Sequence, residues 1–180
     1  MPTSMRRGLR YAAYLLALEG VTQQVIPSPE LARLTGGSAA LVRQDILRLG
    51  QALLLRSDLP TEQAHLGRPG VGYECTRLRE ALRWVLGVAQ PRRVAVRGEG
   101  EVASDVRAQV QDCQYFVLVK GEETADFAVL VGAGPFSSIP SGARVLYWQG
   151  DLEAGIPGTA GGEATSLLQL LLALSSGLER

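Results

Sequence analysis

The spacing of apolar residues changes near residue 90. Up to that point they recur at three- and four-residue intervals, as on one face of a helix. After it they cluster in short unbroken runs, as in strands covered on both faces. In the first part, LRYAAYLLALEG (9–20) predicts a helix with Leu9, Ala13, Leu16 and Leu18 inward and Gly20 as its stop. SPELARL (28–34) predicts a second, with Ser28 as N-cap and Pro29 at the first helical position, where a missing N–H costs nothing. Gly36 and Gly37 end that helix. Ser38 then caps a third, which runs to about Leu49 with Val42, Ile46 and Leu49 on one face. Three short helices, the last two joined through a glycine turn, make the helix-turn-helix pattern.

The stretch from Gln51 to Cys75 mixes strand-like residues (Ala52 to Leu55) with turn formers, among them Pro60, Gly67, Pro69 and Gly70. Residues 51–69 read either as a hairpin, which after a third helix would be a wing, or as a loop. TRLREALRWVLG (76–87) is an amphipathic helix with Leu78, Leu82, Val85 and Leu86 inward, closed by Gly87. VAQP (88–91) marks the boundary between a domain over 1–88 and another over 92–180. The second domain carries four predicted strands, RVAVR (93–97), YFVLVK (115–120), FAVLVG (127–132) and RVLYW (144–148), with a helix over 101–112. Only GEETAD (121–126) separates the second strand from the third. Parallel neighbours need a crossover of about ten residues or more, so these two form a hairpin or lie apart. A last helix, about Glu163 to Leu178, is leucine-rich almost all round. It needs burial on several sides, in a partner subunit or in its own domain.

Charge adds an asymmetry to this division. Residues 1–90 hold eleven arginines and no lysine against seven acids, a net of +4, while residues 91–180 hold seven basic and eleven acidic residues, a net of −4. A basic half joined to an acidic half suggests a nucleic-acid-facing module attached to something with another task. Cys75, Cys113 and His65 are too few for a zinc site or a disulfide framework, so reduced, structural thiols and no metal are expected. No secretory leader is legible, and the longest apolar run, LLQLLLAL (167–174), is far short of the ~20 residues that span a bilayer. The expectation is a soluble, cytoplasmic protein with no membrane partner.

Two motifs stand in a fixed order. The first is the helix-turn-helix with SAALVRQDILRLG (38–50) as its third helix; the second is RVAVRGEGEVASDV (93–106), a strand running into Gly98-x-Gly100-x-x-Ala103 and then a helix. Together they resemble the Rex family of redox-sensing transcriptional repressors. Arg7, Tyr11, Tyr14 and Leu15 match that family's first helix, SAALVRQD its recognition helix, and RPGVGYECTRL (68–78) its wing return and linker helix, with Gly70-Val71-Gly72-Tyr73 the most specific part. The resemblance covers most of residues 7–112.

The resemblance implies an α/β protein. An N-terminal winged helix-turn-helix domain would precede a small, shortened Rossmann-like domain, whose C-terminal helix exchanges between subunits in that family. It also implies a homodimeric, non-enzymatic repressor of a palindromic double-stranded operator, with NAD(H) as cofactor at Gly98, Gly100 and Ala103. The side of the third helix away from Val42, Ile46 and Leu49 carries Ser38, Ala39, Ala40, Arg43, Gln44 and Leu47 or Arg48. Arg43 has the geometry for a guanine edge and Gln44 for adenine, while the helix N-terminus at Ser38 to Ala40 suits a phosphate. Arg68 on the wing and Arg6, Arg7 and Arg10 at the N-terminus would add backbone or minor-groove contacts.

Electrostatics argues against the cofactor. Glu99 and Glu101 place carboxylates where a pyrophosphate would lie, and the acid expected ~20 residues on to hold a ribose falls near Lys120, with Glu122 and Glu123 just beyond. VGAGP (131–135) is a second candidate phosphate loop, or a plain turn. No histidine, thiol or lysine sits beside the glycines as acid, base or nucleophile, which argues against an enzyme.

Overall fold

The computed structural model describes residues 3–55, 66–120, 124–132, 139–140, 142–148 and 167–175. Helix α1 spans Thr3–Glu19 and starts earlier than the apolar pattern predicts. Leu9, Tyr11, Ala12, Tyr14, Leu15 and Leu18 are buried, whereas Ala13 and Leu16 are half-buried. The apolar pattern points to Leu9 and Leu18 but not to Tyr11, Ala12, Tyr14 and Leu15, because α1 is covered on two sides, by helix α4 (Cys75–Val85) and by helix α6 (Leu167–Ser175).

Helix α2 spans Ser28–Leu34, and here the expected cap moves by one residue. Pro27 is the N-cap and makes no side-chain cap bond; Ser28 is already helical, and its hydroxyl accepts from Arg43 instead. At the other end the Gly37 N–H closes the helix onto the Ala32 carbonyl at 2.9 Å. Helix α3 follows from Ala39 to Leu54, with the Ser38 hydroxyl accepting from the Leu41 N–H as expected of a cap. The strand-like residues Ala52–Leu55 are helical instead, because α3 continues to Leu54 with Leu55 as its C-cap. Leu53 extends the buried stripe of Val42, Ile46 and Leu49 by one turn. Burying such a leucine contributes about 2 kcal/mol, which outweighs the roughly 1 kcal/mol that Gly50 costs inside a helix.

Three short strands form an antiparallel sheet beside these helices, in the order β1 (Val25–Ile26), β3 (Gly72–Glu74), β2 (Gly67–Arg68). The β2–β3 hairpin turns through Arg68-Pro69-Gly70-Val71, with the Val71 N–H donating to the Arg68 carbonyl at 3.1 Å. Pro69 sets the second position of this turn, and Gly70, at φ 76°, supplies the left-handed third position of a type II turn. Residues 56–65, which include His65 and most of the stretch expected to be either wing or loop, lie outside the described residues.

Four parallel strands form the second sheet, in the order β5 (Phe116–Val119), β4 (Arg92–Arg97), β6 (Phe127–Val131), β7 (Arg144–Trp148). Helix α5 (Glu101–Asp112) connects β4 to β5. The chain is therefore mixed α/β, with a parallel four-stranded sheet compatible with a Rossmann-like domain. Strands β5 and β6 lie apart, on opposite sides of β4. The register shows how so short a link suffices. Val119, the last residue of β5, is level with Ala95, and Phe127, the first of β6, is level with Val94. Those two strand ends are therefore two strand spacings apart, about 10 Å, with almost no offset along the strand. The link is fastened to β4 where the Asp126 carboxylate accepts from the Arg93 N–H at 2.8 Å.

One buried apolar cluster runs from Leu15, Leu49 and Leu82 through Val88 to Val94, Val106, Val129 and Leu171. Helix α6, expected over 163–178, is described over Leu167–Ser175 and lies against α1 and α5 of its own chain. At its crossing with α1, a Cβ on Gly8 would stand 3.4 Å from that of Ala173. Polar contacts join the same layers. The Glu19 carboxylate at the end of α1 accepts from the Tyr115 hydroxyl and from Gln114 beside β5, and Arg83 of α4 stacks 5.7 Å over the Tyr115 ring. Burial, and the bond to Glu19, push the Tyr115 phenol above its ordinary range.

Candidate functional site

Helix α3 sorts its residues by charge as well as by polarity. Its single acid, Asp45, is fully buried, and the Arg10 guanidinium grips it at 2.5 and 2.8 Å. Tyr14 donates to the same carboxylate at 3.1 Å and Tyr11 to the Asp45 carbonyl at 3.1 Å. This network pins α3 onto α1. A buried carboxylate survives only when such partners satisfy it. The Arg10 guanidinium is raised above its ordinary value by its bond to Asp45.

With its acid turned inward, α3 presents Ala40, Arg43, Gln44, Leu47 and Arg48 to solvent, with Ser38 exposed at its start and Ala39 half-buried. Arg43 donates to the Ser28 hydroxyl at 3.2 Å and opposes the burial that raises the Tyr73 phenol, so it stands between α2 and the hairpin. Arg68 is exposed on β2. The Tyr11 phenol is pushed up to about 12 by burial and by Asp45, against the opposing pull of Arg7, Arg10 and Arg48. Arg7 and Arg48 are thus both near enough to the Tyr11 phenol for their charge to act on it. Arg6 is exposed on α1.

Of the residues singled out by sequence, Arg43, Gln44, Arg48, Ser38 and Ala40 share the open side of α3, with Arg7 at one edge. Arg10 does not join them, since its guanidinium is committed to Asp45. The Asp45–Tyr11–Tyr14 cluster was missed. Its signal was nevertheless present: Asp45 falls on the Val42/Ile46/Leu49 face, where a charge demands a partner.

The glycine loop after β4 has a different character. A Cβ on Gly98, at φ 132°, would collide with the Val131 carbonyl of neighbouring β6, so the chain passes there only as glycine. Gly100 is the N-cap of α5 with no side-chain cap bond, and Ala103 is fully buried beneath the loop. Arg107 reaches back and donates to the Gly98 carbonyl at 2.6 Å. Glu99 and Glu101 are exposed on either side of Gly100, and Lys120 is exposed after β5. Glu122, Glu123 and residues 133–135 of the second glycine loop lie outside the described residues.

Among the described residues no group of three or more histidine, cysteine or acidic side chains is arranged to hold a metal ion. Burial pushes both thiols, Cys75 and Cys113, upward, in keeping with unreactive structural cysteines. No helix among the described residues is long and apolar enough to cross a membrane.

No family model matches the sequence, and no curated protein matches it. Among solved structures the chain is similar to the crystal structure of RSP, a Rex-family repressor, at a TM-score of 0.42 and 21% identity, over 80% of this chain and 58% of that one. The chain thus spans little more than half the length of that structure.

Proposed function

We propose that this chain is a homodimeric, DNA-binding transcriptional repressor of the Rex type. In this reading residues 1–88 form a winged-helix DNA-binding domain, and residues 92–180 form a reduced Rossmann-like domain for dimerisation. Helix α3 enters the major groove, the β2–β3 hairpin is the wing, and Arg68 and Arg7 meet the phosphate backbone. The observation that carries the reading is the open side of α3: Arg43, Gln44 and Arg48 are exposed together and the helix's one acid is buried. A face with cations, an amide and no carboxylate suits a polyanion whose base edges offer hydrogen-bond acceptors.

Footprinting on a palindromic site selected from random duplexes tests this at physiological salt. Two protected half-sites about one helical turn apart are expected, and with Arg43→Ala they need roughly ten- to a hundredfold more protein. Protection no better than on random sequence refutes the reading.

A second reading keeps the same fold as an NAD(H)-responsive repressor. The positive φ of Gly98 and Gly100 and the uncapped start of α5 favour it, because they leave backbone N–H groups open to a phosphate. The two flanking glutamates oppose it. Calorimetric titration with NADH separates the readings: saturable heat supports the sensor, and none at millimolar ligand rejects it.

A further inference from the structure

Leu47 and Leu54 are the outward leucines of α3 to which the proposed function gives no task, and Leu47 is the more exposed. It is 64% exposed, so the fold leaves most of an apolar side chain in water. At about 100° per residue, with Arg43 taken as zero, the exposed residues from Ala40 to Leu54 fall within an arc of about 140°, and the buried ones, Asp45 included, fall on the opposite side. Leu47 lies at about 40° on that wheel, between Arg43 and Gln44 in direction and one turn further along.

No acidic side chain shares the arc, since Asp45 is fully buried and paired. An apolar side chain framed by guanidinium and amide groups suits a surface that is anionic at its rim and offers apolar groups within. The major groove is such a surface, with phosphates flanking the 5-methyl groups of thymine.

We propose that Leu47 packs against a thymine 5-methyl group, adding apolar discrimination to the hydrogen-bond reading by Arg43 and Gln44. The proposal rests on the DNA-binding reading above. Three or four residues of helix advance the contact by about 5 Å, which is one to two base-pair steps of about 3.4 Å. The thymine therefore stands one or two positions from the base pairs read by Arg43 and Gln44.

The test begins with selection of binding sites from random duplexes by the full chain. Each thymine in the selected half-site is then replaced in turn by deoxyuridine, which removes only the methyl group. One such replacement is expected to weaken binding three- to tenfold. Leu47→Ala should cost a similar factor on the thymine site and almost nothing more on the uracil site, because both changes delete the same contact. If every uracil replacement is neutral, or if Leu47→Ala costs the same factor on both sites, the proposal is overturned while the DNA-binding reading stands. A loss of self-association in Leu47→Ala, seen by sedimentation with uracil-insensitive DNA binding, overturns it in favour of a contact between copies of this chain. Selection of no sequence at all overturns the DNA-binding reading, and this proposal with it.

Discussion

Helices α3 and α5 begin alike and are wired in opposite senses. Each follows a glycine-containing break and starts at an exposed N-terminus. In α3 the acid faces inward and the arginines outward: Asp45 is fully buried, while Arg43 and Arg48 are exposed. In α5 the arginine turns back, Arg107 binding the Gly98 carbonyl, and the acids Glu101, Asp105 and Asp112 are exposed. A helix start carries roughly half a positive charge whatever its sequence. What the surrounding side chains add decides whether an outside anion is welcome. At α3 they reinforce the field, and at α5 they already answer it. The same backbone device thus yields a cationic surface in one place and an uncapped start flanked by carboxylates in the other.

The largest expected effect comes from breaking the inward half of this arrangement. Asp45→Ala leaves Arg10 partly buried without its anion and strips Tyr14 of its acceptor. A loss of about 3 kcal/mol in urea unfolding is expected, against less than about 0.5 kcal/mol for Asp105→Ala on the exposed side of α5. Next in size is Arg43→Ala, which should weaken binding to the selected site by about 1–3 kcal/mol and relax preference at one base pair. Fluorescence anisotropy on matched and mismatched duplexes would measure it. Arg68→Ala should act evenly on all sequences instead, lowering the slope of log affinity against log salt by about one.

An alkaline titration sharpens the α1–α3 seam. The Tyr11 phenol titrates near 10 when unfolded and is pushed up to about 12 in the fold. Its contribution is whole below pH ~10 and is lost as pH rises through ~12. Thermal melts from pH 9 to 12 should fall more shallowly for Tyr11→Phe than for the parent chain.

The smallest effect is expected at α5. Glu99 and Glu101 are exposed, so each repels a phosphate with about 1 kcal/mol, nearer the water limit than the roughly 4 kcal/mol of a half-buried contact. Replacing both by glutamine should raise affinity for NADH, measured by calorimetry, by at most about thirtyfold. An unchanged affinity would show that the loop's geometry, rather than its charge, limits that site.

Much of this was legible in the sequence because local rules and packing agree. Ser38 before an apolar stripe and the strand-glycine-helix order at 93–112 follow from capping and periodicity, and reach excludes β5 and β6 as parallel neighbours while leaving a hairpin or separation open. Two departures come from packing that the local pattern does not contain. Ala52–Leu55 looked strand-like because a short leucine run has no period of its own, and Leu53 resolves it into helix by packing next to Leu49. Arg10 looked like one more surface cation until Asp45, on the core face of another helix, claimed it. The spacing along α3 puts Asp45 on the core face and so calls for a partner, but only the α1–α3 crossing makes that partner Arg10.

Site-directed cleavage tests the outward wiring of α3 most directly. Cys75 and Cys113 are both buried, so Gln51→Cys, exposed on the same side of α3, offers the reactive thiol for an iron chelate. On the selected palindrome the account predicts two clusters of strand scission in the major groove, one per half-site and about one helical turn apart. Bound protein that leaves this groove uncut, or cuts at random along the duplex, would contradict it.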